Sequence, residues 1–138
     1  MTAGLHPELL VNWEAYSSAR AELGGNFVRI LGYFREDGIK SVAAIEAAMR
    51  AKNPAGMVIP AHTLKGESRQ FGADYLGELA ETIETIARDC VESRDAPDLA
   101  LEHVVRLRST FASTLEALER EANPLVARKP AFGRRAAG

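Results

Sequence analysis

Apolar residues recur along this chain three and four residues apart, the spacing of one helix face, in successive blocks divided by glycine, asparagine and proline. Residues 1 to 11 form a lead-in, where Pro7 is placed to open a helical turn and Leu9, Leu10 and Val11 to dock it. The first block predicts a short helix from Trp13 to Leu23, with Trp13, Tyr16 and Ala19 on one face. Asn12 suits its N-cap and Gly24-Gly25 its end. A second helix is predicted from Asn26, again as cap, to about Ala51. Phe27, Ile30, Leu31, Phe34, Gly38, Ser41, Val42, Ile45 and Met49 keep its stripe in phase, and Asn53-Pro54 ends it.

The third block holds Met57, Ala61, Leu64, Ser68 and Phe71 in one stripe. Pro60 leaves two starts open: near Val58, or earlier with a bend before His62. Gly72 closes the helix. A fourth helix is expected from Ala73 to about Cys90, carried by Leu76, Leu79, Ala80, Ile83, Ile86, Ala87 and Cys90. The fifth runs from about Asp98 to Glu121, with a stripe of Leu101, Val104, Val105, Phe111, Ala112, Leu115, Leu118 and Ala122. Arg108 falls inside that stripe and is expected to lay its stem on the core. No stretch alternates with period two. The fold class is therefore all-α: an antiparallel up-down four-helix bundle with a short additional N-terminal helix capping one end.

Composition changes this picture little. The 138 residues are 46% hydrophobic, enough for one core, and the net charge of −2 argues against a dedicated nucleic-acid binder. The charge is uneven. Arg128, Lys129, Arg134 and Arg135 lie after residue 122 with no acid, leaving 13 bases and 19 acids in residues 1–122. The bundle is assigned to residues 1–122. Residues 123–138 read as a basic tail, expected to be disordered. The single cysteine, Cys90, excludes an intramolecular disulfide and reads as a buried thiol. No apolar run approaches the ~20 residues of a membrane span, and no signal peptide is visible at the N-terminus, so a cytoplasmic location is expected.

The third helix also carries chemistry. His62, Lys65, Gly66 and Arg69 fall off its apolar stripe, so the imidazole is expected in solvent with a lysine and a glycine one turn on. Gly66 costs roughly 1 kcal/mol relative to alanine inside a helix, which suggests that a bare surface is needed there. The stretch Ala61-His62-Thr63-Leu64-Lys65-Gly66, then Gly72-Ala73-Asp74-Tyr75-Leu76, then Leu79 and Ile83-Glu84, resembles the phosphoacceptor helix and following block of histidine-containing phosphotransfer (HPt) domains of two-component phosphorelays. The likeness extends over about residues 5 to 120.

The resemblance implies that His62 accepts a phosphoryl group from a receiver-domain aspartate or a hybrid kinase and passes it to another receiver. Histidine suits this work because a neutral imidazole is a nucleophile near pH 7. Lys65 is assigned charge compensation, Gly66 steric clearance, and Gln70 orientation of the imidazole. Val58, Arg69 and Tyr75 are candidates for partner contact. The expected partners are response-regulator receiver domains or a hybrid histidine kinase. The chain shows no nucleotide-binding loop and no metal-ligand spacing, so no cofactor of its own is expected, and Mg2+ is expected from the receiver. The protein is thus expected to be a monomeric carrier without its own ATP site. The alternative is a non-phosphorylated helical adaptor that binds receivers. Two residues depart from the family: Glu67, expected to face solvent about 140° from His62, and Pro60.

Overall fold

A computed structural model describes residues 6–123. Among them the structure is entirely helical: α1 (Pro7–Leu10), α2 (Trp13–Leu23), α3 (Phe27–Arg50), α4 (Ala55–Gln70), α5 (Asp74–Ser93) and α6 (Leu101–Ala122). Short 3-10 turns at Gly24–Asn26 and Asp98–Ala100 lead into α3 and α6. The four long helices form a ring in which α3 packs on α4, α4 on α5, α5 on α6 and α6 on α3. The α4–α5 seam therefore lies on the opposite side of the bundle from the α3–α6 seam. Of the tail expected to be disordered, residues 124–138 lie outside the described residues.

The predicted stripes of α3, α4 and α5 are the buried ones, except that Ile30 and Ile86 are only partly covered. Aromatic side chains link the end of the bundle to its centre, from Trp13 through Tyr16, Phe27, Phe71 and Phe34 to Phe111. At Gly38, α3 and α6 come together so closely that an added Cβ would collide with the Phe111 ring. The glycine that interrupts the α3 pattern is therefore a seat for an aromatic side chain. Of the lead-in residues, Leu10 and Val11 are buried, whereas Leu9 stays 62% exposed.

Caps explain most of the boundaries. The Asn12 side chain accepts from the Ala15 N–H at 3.1 Å, as expected of an N-cap. Asn26 does not cap α3. Its side chain instead accepts from Arg29 at 2.7 Å, because the 3-10 turn has already placed its backbone in helical conformation. Asn53 caps the following helix rather than only ending α3, accepting from the Gly56 N–H at 3.2 Å. The reversal itself falls at Lys52, with φ +57°. The earlier of the two starts considered for the third helix is the observed one, Ala55, and Pro60 lies inside α4. Gly72 closes α4 with φ +77°, and its carbonyl accepts from the Asn12 N–H at 2.8 Å. A side chain there would meet the Asn12 carbonyl, so glycine both makes the turn and lets α2 sit down on it. At the same end, Tyr16 Oη donates to the Leu118 carbonyl at 3.2 Å and Arg20 to those of Glu121 and Ala122.

The α6 stripe is shifted from expectation. Leu101, Val105 and Ala112 face solvent, and the buried set is Val104, Leu107, Thr110, Phe111, Thr114, Leu115 and Leu118. Arg108 consequently leaves the core face. It makes two bonds to the Glu46 carboxylate, at 2.6 and 3.1 Å, with its side chain 62% exposed.

Candidate functional site

The buried faces of α4 and α5 mix large apolar side chains with small ones. Ala61, Ala80 and Ala87 are fully buried, and α4 and α5 are the most closely packed pair of helices. Into the seam between them α5 sends Glu84, 5% exposed. A carboxylate that deep needs partners, and it has three. His62 Nδ1 lies 3.0 Å from Oε2, Arg88 donates to the same oxygen through Nε at 2.9 Å with Nη2 2.8 Å away, and Lys65 Nζ is 2.9 Å from Oε1. The Lys65 contact is an ion pair without good hydrogen-bond alignment. Burial pushes the Glu84 carboxyl up, but Lys65, Arg88 and His62 together outweigh it and hold the group down at about 2.

That ionised carboxylate sets the imidazole. A carboxylate only accepts, so the proton of the 3.0 Å contact sits on Nδ1. In the neutral ring Nε2 then keeps its lone pair. The His62 side chain is 60% exposed, and a Cβ added at Gly66 would meet nothing within 4 Å. The arrangement is a pre-oriented imidazole on an open surface, backed by a buried anion whose charge is offset by two cations. It can present a nucleophilic nitrogen to a large partner and stabilise positive charge that develops on the ring.

The family model of the Hpt domain matches residues 29–123. The chain belongs to the Hpt domain family. Membership ties it to phosphotransfer in two-component phosphorelays and to the receiver domains and kinases of such relays. No curated protein and no solved structure matches the chain.

This Hpt domain brings three of the residues singled out in the sequence to one face: His62, Lys65 and Gly66. It does not bring Gln70 to the imidazole. Gln70 is exposed at the last position of α4, and the imidazole is oriented through Nδ1 by Glu84. Lys65 contacts Glu84 rather than standing free, with 21% of its side chain exposed. Arg69 is paired with Glu81 at 2.6 Å, and its stem lies over Gly77. Val58 and Tyr75, taken from the sequence as exposed apolar contacts, are half-buried against the core, and the Tyr75 hydroxyl accepts from Arg106 at 3.3 Å. The exposed apolar side chain beside the site is Ile59, one turn before His62 and 74% exposed.

Glu67 does not face solvent as expected. It turns to Asp37 on α3, with one carboxyl oxygen buried and without a donor. Burial, then the hydrogen bond and charge of Asp37, push it up to about 7. Glu84 is the functional residue that the sequence reading left unassigned. Its signal was an acid inside a buried stripe, four residues after Ala80 and three before Ala87. Among the described residues no group of three or more His, Cys, Asp or Glu side chains is placed to hold a metal ion, and no helix is long and apolar enough to cross a membrane.

Proposed function

We propose that this Hpt domain is a phosphoryl carrier with His62 as its acceptor. The observation that supports the reading best is the exposed imidazole held through Nδ1 by a buried, ionised Glu84. In the forward step the Nε2 lone pair attacks the phosphorus of a receiver's aspartyl phosphate. The N–P bond forms as the P–O bond to the aspartate breaks, and the bonding pair leaves with the carboxylate. Nδ1 keeps its proton, so the phosphorylated ring carries positive charge, which Glu84 stabilises at 3.0 Å. The reverse step passes the group to the aspartate of a second receiver.

Lys65 has two tasks in this scheme. It offsets Glu84, and it adds positive potential where phosphoryl oxygens arrive. Gly66 keeps the approach open. Ile59 offers an apolar contact to the receiver one turn from His62. The receiver contributes the Mg2+ and the remaining catalytic groups, and the carrier needs neither ATP nor a cofactor of its own.

The deciding experiment is phosphotransfer from a panel of labelled receivers and kinases of the same organism to wild type and to His62→Gln. The expected result is label on wild type, acid-labile and base-stable as a phosphoramidate is, and none on the variant. Label retained by His62→Gln would move the acceptor elsewhere. Receiver binding without any label would make the protein an adaptor.

A further inference from the structure

Among the described residues the α3–α6 seam carries an open groove of about 900 Å3, on the side of the bundle opposite His62. Val28 and Ile39 line it from α3 at 65% and 47% exposure. Arg108 and Ala112 line it from α6. Leu101 and Val105, each seven residues before one of these, continue the line along α6 at 51% and 67% exposure. They are residues whose spacing assigned them to the core and which the fold leaves outside. Gly32 lies inside α3 against the same groove, and a Cβ there would meet nothing within 4 Å. Glycine is costly inside a helix, so this bare stretch of backbone suits the close approach of another molecule.

The charges on this face indicate what covers it. Two ion pairs cross the seam, Arg35 with Glu119 at 2.9 Å and Arg108 with Glu46 at 2.6 Å. They run in opposite senses, because the arginine belongs to α3 in the first and to α6 in the second. Arg35 and Glu46 stand 11 residues apart on α3, and Arg108 and Glu119 stand 11 apart on α6. That spacing is close to three helical turns, so each helix presents both of its charges on one side. The centre of the pattern falls between Ile39 and Val42 on α3 and between Ala112 and Leu115 on α6, with an ion pair about 8 Å to either side. The other charges lining the groove, Glu116 and Arg120, pair with each other along α6.

A two-fold axis through that centre, at right angles to the helices, exchanges the two pairs. It sets Arg35 against Glu46 of a second copy and Glu119 against that copy's Arg108. At the centre Ala112 meets Leu115 and Ile39 meets Val42, and further out Val105 meets Ala122. A partner of uniform charge would repel half of these groups, whereas the pattern is complementary to itself. We propose that this face is a homodimer interface, in which two copies meet with α3 antiparallel on α3 and α6 antiparallel on α6. Both His62 sites then lie on the outside, turned away from each other and open. Such a dimer departs from the monomer expected from the sequence.

Sedimentation of the full chain over a concentration series tests this. Wild type should pass from monomer to dimer between ~1 μM and ~1 mM. Arg35→Glu with Glu119→Arg reverses one ion pair and keeps it intact within the chain, but sets acid against Glu46 and base against Arg108 of the second copy. It should weaken the dimer at least ~10-fold. Adding Glu46→Arg with Arg108→Glu reverses both pairs, restores the match and should return the dimer to within ~3-fold of wild type. Ile39→Asp should also weaken it. Tyr33→Asp should not, because Tyr33 is 54% exposed and lies about 120° around α3 from Ile39. A monomer at ~1 mM overturns the proposal. So does a dimer that the single reversal leaves at wild-type strength, or one that Tyr33→Asp weakens as much as Ile39→Asp does.

Discussion

The two opposite seams of the bundle solve the same packing problem with different side chains. Between α4 and α5 the packing is closest, and the helices close on one buried carboxylate with cations from both sides. Between α3 and α6 the contact residues are large, with Phe34 and Phe111 at the centre, Gly38 making room for a ring, and ion pairs only at the exposed rim. The difference follows from what each seam buries. An ionised group in a core is tolerable only if its partners come within hydrogen-bond distance from several directions, which requires close backbones. Aromatic rings need space instead, and the looser seam is the one left with a groove. Rim ion pairs contribute at most about 1 kcal/mol each, so the α3–α6 seam rests on its rings.

Glu84 is where this contrast is most exposed to test. Glu84→Gln keeps an acceptor for the Nδ1 proton but loses the charge that stabilises a phosphorylated ring, and phosphotransfer should fall about 10-fold. Glu84→Ala removes the acceptor as well and should cost on the order of 100-fold. It also strands Lys65 and Arg88 beside a cavity, at about 1–3 kcal/mol in chemical denaturation. Transfer at the wild-type rate in a folded Glu84→Ala would reduce the carboxylate to a packing feature and erase the distinction between the seams.

How far the sequence reveals each seam depends on what fills it. The stripes of α3, α4 and α5 are legible because their apolar residues coincide with the buried positions. In α6 they do not. Leu101 and Val105 are apolar but exposed, Thr110 and Thr114 are polar but buried, and the periodicity shifts accordingly. His62, Lys65 and Gly66 are legible because they fall within one six-residue run, Ala61 to Gly66. Glu84 reaches the site through His62 and Lys65, which lie on another helix, 22 residues earlier in the case of His62, and periodicity along α5 carries no information about what faces it. Gln70 illustrates the converse: near His62 in sequence, it lies at the far end of α4.

Gly38 tests the aromatic seam. Gly38→Ala drives a methyl group into the Phe111 ring and should destabilise the fold by about 1–3 kcal/mol, read by denaturation. The rate of phosphotransfer by the folded fraction should not change, because the seam lies across the bundle from His62. A slower rate at equal folding would mean that the seams are mechanically coupled.

The smallest effect comes from the helix pair that joins the two sides. Glu67 on α4 faces Asp37 on α3, and two carboxyl groups can share a hydrogen bond only by sharing a proton. The folded-state value of Glu67, about 7, lies above its ordinary 4.5, so between those values the folded chain holds more protons than the unfolded one. Its contribution is complete below pH 4.5 and is lost as pH rises through 7. Glu84 works in the opposite sense: held at about 2, it stabilises above its ordinary 4.5 and loses that contribution as pH falls toward 2. Glu67→Gln should therefore be nearly neutral at pH 5 and raise the midpoint of thermal unfolding at pH 8 by a few degrees, about 2–4 °C after allowing for partial exposure. An equal shift at both pH values would show that Glu67 contributes by shape and not by charge, leaving Glu84 as the group that links stability to pH.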